Sequence, residues 1–269
     1  MNLTIVIPTR DRPEQVRRLV RELNGVNYEI IVVADPQQAV VVSGARVIST
    51  PPRIGSGESR NIGGREANHD WLLFIDDDHF PSPGLSRFID RLLPGLKPRD
   101  IIGFRVVGSN DMGSSTIKYR YTGVFRMLNI LFGVDISPHS GPSRFVPVAM
   151  IFPSRFFASL GGFDSRTYRG NGFREESDLQ WRARKMGGRI IYVEEPFFLH
   201  LNIPGGHNKR HSENDVYYMR NQTIFALRTG NFASLIMIAG FAVYLITKGI
   251  RVSTLVRGIA QGVATVLQG

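Results

Sequence analysis

Trp71-Leu72-Leu73-Phe74-Ile75-Asp76-Asp77-Asp78-His79 carries an apolar, strand-like run straight into three consecutive carboxylates. Three like charges within a few ångströms repel one another and raise one another's pKa, so they persist where a cation or a set of donors neutralises them. Mg²⁺ and Mn²⁺ take oxygen ligands and fill their remaining positions with substrate phosphates and water. The segment therefore predicts either a metal site for a polyanionic ligand or a solvated acidic turn capping the next helix.

The flanking sequence alternates strands and helices in the βαβ manner, which predicts an open, mainly parallel α/β sheet. Leu3 to Ile7 reads as a strand, and Pro13 opens a helix whose Val16, Leu19, Val20 and Leu23 form one buried stripe. Tyr28 to Val33 is the next strand, running to Asp35, and Arg46 to Ser49 a short third one. Gly57 to Asn68 reads as a helix entered through a glycine-rich loop. Asp35 and Asp76 to Asp78 thus follow successive strands, and open α/β sheets bind ligands beyond the carboxyl ends of their strands. An acidic cleft is predicted there. Asp100 to Val107 and Phe145 to Phe152 read as further strands, with Ser109 to Pro142 between them unassigned.

A second acidic group, Glu175-Glu176-Ser177-Asp178-Leu179, starts a helical period that runs to Met186 and stops at Gly187-Gly188. Carboxylates are favoured at a helix N-terminus, so this is either a capping device or part of a site. The strand Arg189 to Val193 and then Phe197 to His200 follow.

These segments together resemble the family 2 glycosyltransferases of GT-A fold. The resemblance rests on Pro8-Thr9-Arg10-Asp11, the strand ending in Asp35, Gly57-Glu58-Ser59-Arg60-Asn61-Ile62-Gly63, the Asp76-Asp77-Asp78 triplet, Gly161-Gly162-Phe163-Asp164, Glu175-Glu176-Ser177-Asp178-Leu179 and the late His200. It implies a GT-A, Rossmann-like mixed and mainly parallel sheet flanked by helices over residues 1–228. By the same resemblance Pro8, Thr9, Arg10, Asp11 and Asp35 hold the nucleoside of a nucleotide-sugar donor. Arg60 and Asn61 lie toward the donor, and Arg60 either touches its diphosphate or braces a carboxylate. Asp76, Asp77 and Asp78 match the DXD-type motif, with Asp76 or Asp78 and His200 as ligands of Mn²⁺ or Mg²⁺. Glu176 matches the general base, with Glu175 and Asp178 as rivals. Two departures stand out: Ala34-Asp35-Pro36-Gln37 replaces the commoner Asp-Asp-Gly-Ser, and Glu replaces Asp at the base position.

The chemistry fits independently. A departing diphosphate needs its charge stabilised, and a hydroxyl acceptor needs a carboxylate to take its proton. A base opposite the leaving group predicts inversion. A nucleotidyltransferase, or a non-catalytic nucleotide-binding protein of the same fold, are the rival readings.

The net charge of +10 is unevenly distributed. Val216 to Gly269 contains no Asp or Glu, while Arg220, Arg228, Lys248, Arg251 and Arg257 supply five cations. Nineteen uncharged residues, Thr229 to Thr247, are at the short end of a membrane span. After them Val252, Leu255, Val256, Ile259, Val263, Val266 and Leu267 form one face of an amphipathic helix, opposite Arg257, Gln261 and Gln268. Residues 229–269 are therefore expected to be a helical membrane-association tail, either a single C-terminal span or an interfacial helix. The acceptor is then lipid-linked or a membrane-assembled glycan. Nucleic acid is not expected, because these cations flank an apolar run and are not interleaved with stacking aromatics. No secretory signal is visible at Met1-Asn2-Leu3, so the catalytic body is expected on the cytoplasmic face of the cell membrane. Cysteine is absent, so no disulfide or thiolate metal site enters the reading.

Overall fold

The structure, a computed structural model, describes residues 3–23, 28–35, 41–108, 139–170, 172–201, 212–230 and 233–268. Its first strand, β1 (Leu3–Arg10), pairs in parallel with β2 (Glu29–Asp35) on one side and with β4 (Trp71–Phe74) on the other, and β3 (Arg46–Ser49) extends the parallel run beyond β2. The crossovers are α1 (Pro13–Leu23) and α2 (Ser56–Glu66). Beyond β4 the sheet becomes mixed. The remaining strands are β5 (His79–Pro81), β6 (Asp100–Gly108), β7 (Gly141–Pro142), β8 (Met150–Pro153) and β9 (Arg189–His200). The order is β3-β2-β1-β4-β8-β6-β9-β5, with β7 beside β9. The remaining helices are α3 (Leu85–Leu92), α4 (Ser154–Ser159), α5 (Glu175–Lys185), α6 (Ser212–Thr229), α7 (Ala233–Thr247) and α8 (Val252–Gln268).

Alternation along β1 builds a core on each face of the sheet. Ile5 and Ile7 join Val16, Leu19 and Val20 of α1 and Ile89 of α3, while Val6 joins Phe74, Phe157, Phe163 and Leu179 on the other face. The predicted stripe of α1 is the buried one.

Two strand expectations change. Phe145 to Ala149 is not strand, although Phe145 and Val146 are buried. The Gln180 side chain satisfies both backbone groups of Val146, accepting its N–H at 2.7 Å and donating to its carbonyl at 2.9 Å, so no ladder partner is needed there. Arg189 to His200, expected as two pieces, forms one strand. Most of the unassigned stretch, residues 109–138, lies outside the described residues.

The tail departs most from expectation. Among the described residues no helix is long and apolar enough to cross a membrane. Helix α7 has 15 residues, about 22 Å of rise against a hydrocarbon core of about 30 Å. The tail also shares a core with the helix before it: Met219 of α6, Phe241 and Leu245 of α7 and Leu255 of α8 are buried together.

Close approach is made by glycine. A Cβ on Gly258 would lie 2.7 Å from the Met219 Cβ and 2.8 Å from the Val216 carbonyl oxygen. Replacement by Val is therefore expected to cost about 1–3 kcal/mol by overpacking and to strip amide-exchange protection from α8. Urea unfolding and hydrogen exchange check this; unchanged protection of α8 would refute the packing.

Two of the five tail cations are held by partners within the protein, Arg220 buried and Arg228 half-buried. Arg228 pairs with Asp164 at 2.7 Å and Asp178 at 3.3 Å, and Arg220 is buried with Nη1 on the Thr167 carbonyl.

Candidate active site

The chain runs from β1 outward to β2 and β3, then returns to β4 on the other side of β1. That reversal opens a crevice at the carboxyl ends of β1 and β4, and the acidic triplet emerges into it. Pro8, Thr9, Arg10, Arg12, Asp35, Gly55, Ser56, Ser59, Arg60, Asp76, Asp77, Asp78, Glu176 and His200 line one cleft. The N-terminus of α2, at Gly55 and Ser56, opens into it and supplies backbone N–H groups suited to an anion.

Each carboxylate of the triplet has a different partner. Asp76 faces α2, where the buried Arg60 donates Nη2 to it. Burial alone would raise the Asp76 carboxyl, but the charge and hydrogen bond of Arg60 together with the nearby His79 outweigh it and hold the group below its ordinary value. Asp77 points back at β1, accepting from Thr9 Oγ1 at 2.7 Å and from Arg12 Nη1 at 2.9 Å. Burial nevertheless pushes it up to about 6. Asp78 takes Arg12 Nη1 at 2.9 Å and lies 3.4 Å from His200 Nε2. Its burial is outweighed by the His200 hydrogen bond and nearby positive charge, which bring it down to about 2.

Antiparallel pairing of β5 with β9 sets His79 directly opposite His200, their rings 5.2 Å apart and perpendicular. Asp78, His79 and His200 each bring one ligand atom within 4.8 Å of the others. One carboxylate and two imidazoles this close fit a divalent cation. Asp76, turned to Arg60, stands outside this cluster. His79 directly follows the triplet in sequence, yet only strand pairing reveals that it meets His200.

Across the cleft, α5 begins with Glu175 and Glu176. Glu176 lines the cleft with its side chain 30 % exposed, 3.4 Å from Arg60 Nη1. Burial raises its pKa and Arg60 opposes the rise. Glu175 is turned inward at 3 % exposure, its Oε2 without a hydrogen-bond partner among the described residues. It fills the space beside Gly57, where a Cβ would lie 2.3 Å from Oε2. Burial, then the neighbouring Glu176 charge, raise its pKa well above the ordinary value.

A carboxyl whose folded pKa exceeds its unfolded one gives stability that is full below the unfolded value and is lost as pH rises through the folded one. Glu175→Gln, neutral at every pH, is therefore expected to abolish that loss and to raise the urea midpoint at neutral pH. A lower midpoint would refute a neutral Glu175.

Three expected site residues do not line this cleft. Asp178 is 1 % exposed and accepts from Tyr168 at 3.2 Å, Arg182 at 2.7 Å and Arg228 at 3.3 Å. Asn61 clamps the glycine turn, donating to the Phe163 carbonyl at 2.9 Å and accepting the Phe163 N–H at 2.8 Å. Asp11 is exposed and lies 3.8 Å from Arg10. Asp35 lines the cleft, and both its oxygens accept the Arg53 backbone N–H at 2.9 Å.

The sequence profile of glycosyl transferase family 2 matches residues 4–141, slightly more than half of the chain. The chain belongs to glycosyl transferase family 2. It is 31% identical over 212 residues to the pre-mycofactocin glycosyltransferase of Mycobacterium tuberculosis (strain CDC 1551 / Oshkosh), covering 74% of this chain and 42% of that protein. An uncharacterized glycosyltransferase of Bacillus subtilis, YwdF, is 24% identical over 182 residues, covering 61% of this chain and 63% of its own length. The chain thus spans less than half the length of the mycobacterial relative. A crystal structure of S. aureus TarS 1-349 in complex with UDP-GlcNAc superposes with a TM-score of 0.64 at 13% identity, covering 98% of this chain and 81% of that one. That likeness bears on the fold, a mixed α/β arrangement of the GT-A kind. The family 2 match spans the strands that deliver Thr9, Asp35 and the triplet, whereas Glu176 and His200 lie beyond it.

Proposed function

We propose that this chain is a metal-dependent inverting glycosyltransferase that moves a sugar from a nucleotide-sugar donor to a hydroxyl of a lipid-linked or glycan acceptor. The observation that carries the reading is the shared cleft: Asp78 and His200, clustered with the buried His79, on one side, Glu176 on the other, and Arg60 pairing Asp76 and Glu176 between them. Family membership supports it, as do the relatives named glycosyltransferases and the UDP-GlcNAc bound by TarS.

In this reading the nucleoside lies along Pro8, Thr9, Arg10 and Asp35, and the diphosphate reaches the N-terminus of α2. Mn²⁺ or Mg²⁺, held by Asp78, His79 and His200, supplies Lewis-acid stabilisation to the departing diphosphate when bound. Glu176 accepts the proton of the acceptor hydroxyl as that oxygen bonds to the anomeric carbon. The bond from that carbon to the diphosphate oxygen breaks on the opposite face, so the configuration inverts. Arg60 keeps the Glu176 carboxylate directed into the cleft, and Asp76 anchors Arg60.

A thermal-shift panel of nucleoside diphosphates and their sugar conjugates with Mn²⁺ tests the donor, since a ligand of the folded state raises the melting temperature. Uridine compounds come first. Transfer assays on responding donors should release nucleoside diphosphate. Pyrophosphate release would support a nucleotidyltransferase, and binding without turnover on any acceptor a non-catalytic protein.

A further inference from the structure

Among the described residues, nine of the eleven large apolar side chains that are exposed lie between Leu235 and Leu267. Both tail helices divide into two faces. On α7, Met237, Phe241 and Leu245 are buried, while Leu235, Val243 and Ile246 are exposed. At 3.6 residues per turn these three fall on a single arc away from the buried one. On α8, Leu255, Gly258 and Gly262 are buried, with the glycines against α6, and Val256, Val263 and Leu267 are exposed. The single apolar face expected of α8 is thus two: one used internally, one left outside.

Charge identifies the occupant of the outer face. With Arg220 buried and Arg228 half-buried and paired to Asp164 and Asp178, the tail cations left exposed are Lys248, Arg251 and Arg257, at the α7–α8 junction and on α8. No Asp or Glu follows Asp215 in the sequence. A second copy docking about a two-fold axis would meet the same patch on itself, bringing cations against cations with no tail carboxylate to pair them. An anionic bilayer supplies both complements: acyl chains for the exposed valines and leucines, and phosphate headgroups for Lys248, Arg251 and Arg257.

We propose that the outer face of α7 and α8 is a peripheral membrane-docking surface that lies in the headgroup region of an anionic bilayer. It sits one helix behind the candidate base: Gln222 of α6 accepts Arg174 Nε at 2.7 Å, and Arg174 immediately precedes Glu175 and Glu176. Docking therefore fixes the cleft at a set height above the lipid, within reach of a membrane-bound acceptor.

Co-sedimentation of the full chain with phosphatidylcholine vesicles, with and without phosphatidylglycerol, tests this. Binding is expected to require phosphatidylglycerol and to weaken with salt. Arg251→Gln with Arg257→Gln should weaken it by roughly tenfold or more, several-fold per cation. Val256→Asp with Val263→Asp should weaken it at least as much. The Gln pair alters exposed charges only, so an unchanged melting temperature assigns its effect to lipid contact. Absence of vesicle binding would overturn the proposal, as would binding indifferent to phosphatidylglycerol. So would a concentration-dependent dimer in light scattering that the Val256→Asp, Val263→Asp pair dissolves. Vesicle binding is read without donor or turnover, so a chain that binds nucleoside diphosphates but not vesicles refutes docking alone. A chain that binds vesicles but no nucleotide refutes the transferase reading alone.

Discussion

Glu176→Gln is expected to lower sugar transfer by about 10²–10⁴-fold, the usual worth of a positioned general base, with donor affinity little changed. Glutamine keeps the shape of the side chain and can still face Arg60, so the loss isolates proton acceptance. The inward neighbour provides the control. Glu175 is buried with its carboxyl pushed toward the neutral form, and Glu175→Gln resembles that form closely enough to leave most activity intact. Because burial raises the Glu176 pKa, activity should fall along an acid limb placed higher than an exposed glutamate would give. An active Glu176→Gln with a dead Glu175→Gln would exchange the two roles.

Asp78→Asn should cost more in metal affinity than the roughly 10–100-fold that loss of an outer-shell partner typically costs, and transfer should fall with it. The Asp78 carboxyl is brought down to about 2 by the His200 hydrogen bond and nearby positive charge, whereas burial pushes Asp77 up to about 6, so at neutral pH Asp78 is available as an anion. It is also the member of the triplet that clusters with His79 and His200. Asp76→Asn should spare metal affinity and instead loosen Arg60. The hydrogen bond with Asp78 raises the His200 pKa, and a ligating imidazole must be neutral, so Mn²⁺ binding should weaken as pH falls through that raised value. Titration of free Mn²⁺ by electron paramagnetic resonance reads all of this without turnover. Equal losses in Asp76→Asn and Asp78→Asn would remove the distinction between them.

The placement of these residues was unevenly legible. The apolar run Leu3 to Ile7 and the stripe of α1 are written in local sequence, because a strand covered on both faces is apolar nearly throughout and a helix on a core face needs apolar residues at its own period. The triplet was legible for the same reason: an apolar run followed by carboxylates marks the end of a buried strand. Division of labour among the carboxylates was not. Glu175, Glu176 and Asp178 share one helix start, yet one fills the space beside Gly57, one lines the cleft and one joins three donors from α5, α6 and the loop at Tyr168. Asn61 likewise stands beside Arg60 in sequence but faces a different neighbour, the Phe163 backbone.

By itself the sequence determined the α/β class, the carboxyl-edge cleft and the charge asymmetry of the tail, since these depend on periodicity, strand ends and composition. Tertiary structure decided what pairing across the chain controls. His79 meets His200 because β5 and β9 are antiparallel in that register. Arg220 is buried and Arg228 is tied down by ion pairs because they find partners in the segment from Asp164 to Asp178. The outer face of α8 is left over because two glycines bring the other face onto α6. A side chain's role depends on which groups lie within a few ångströms of it, and for these residues those groups are remote in sequence.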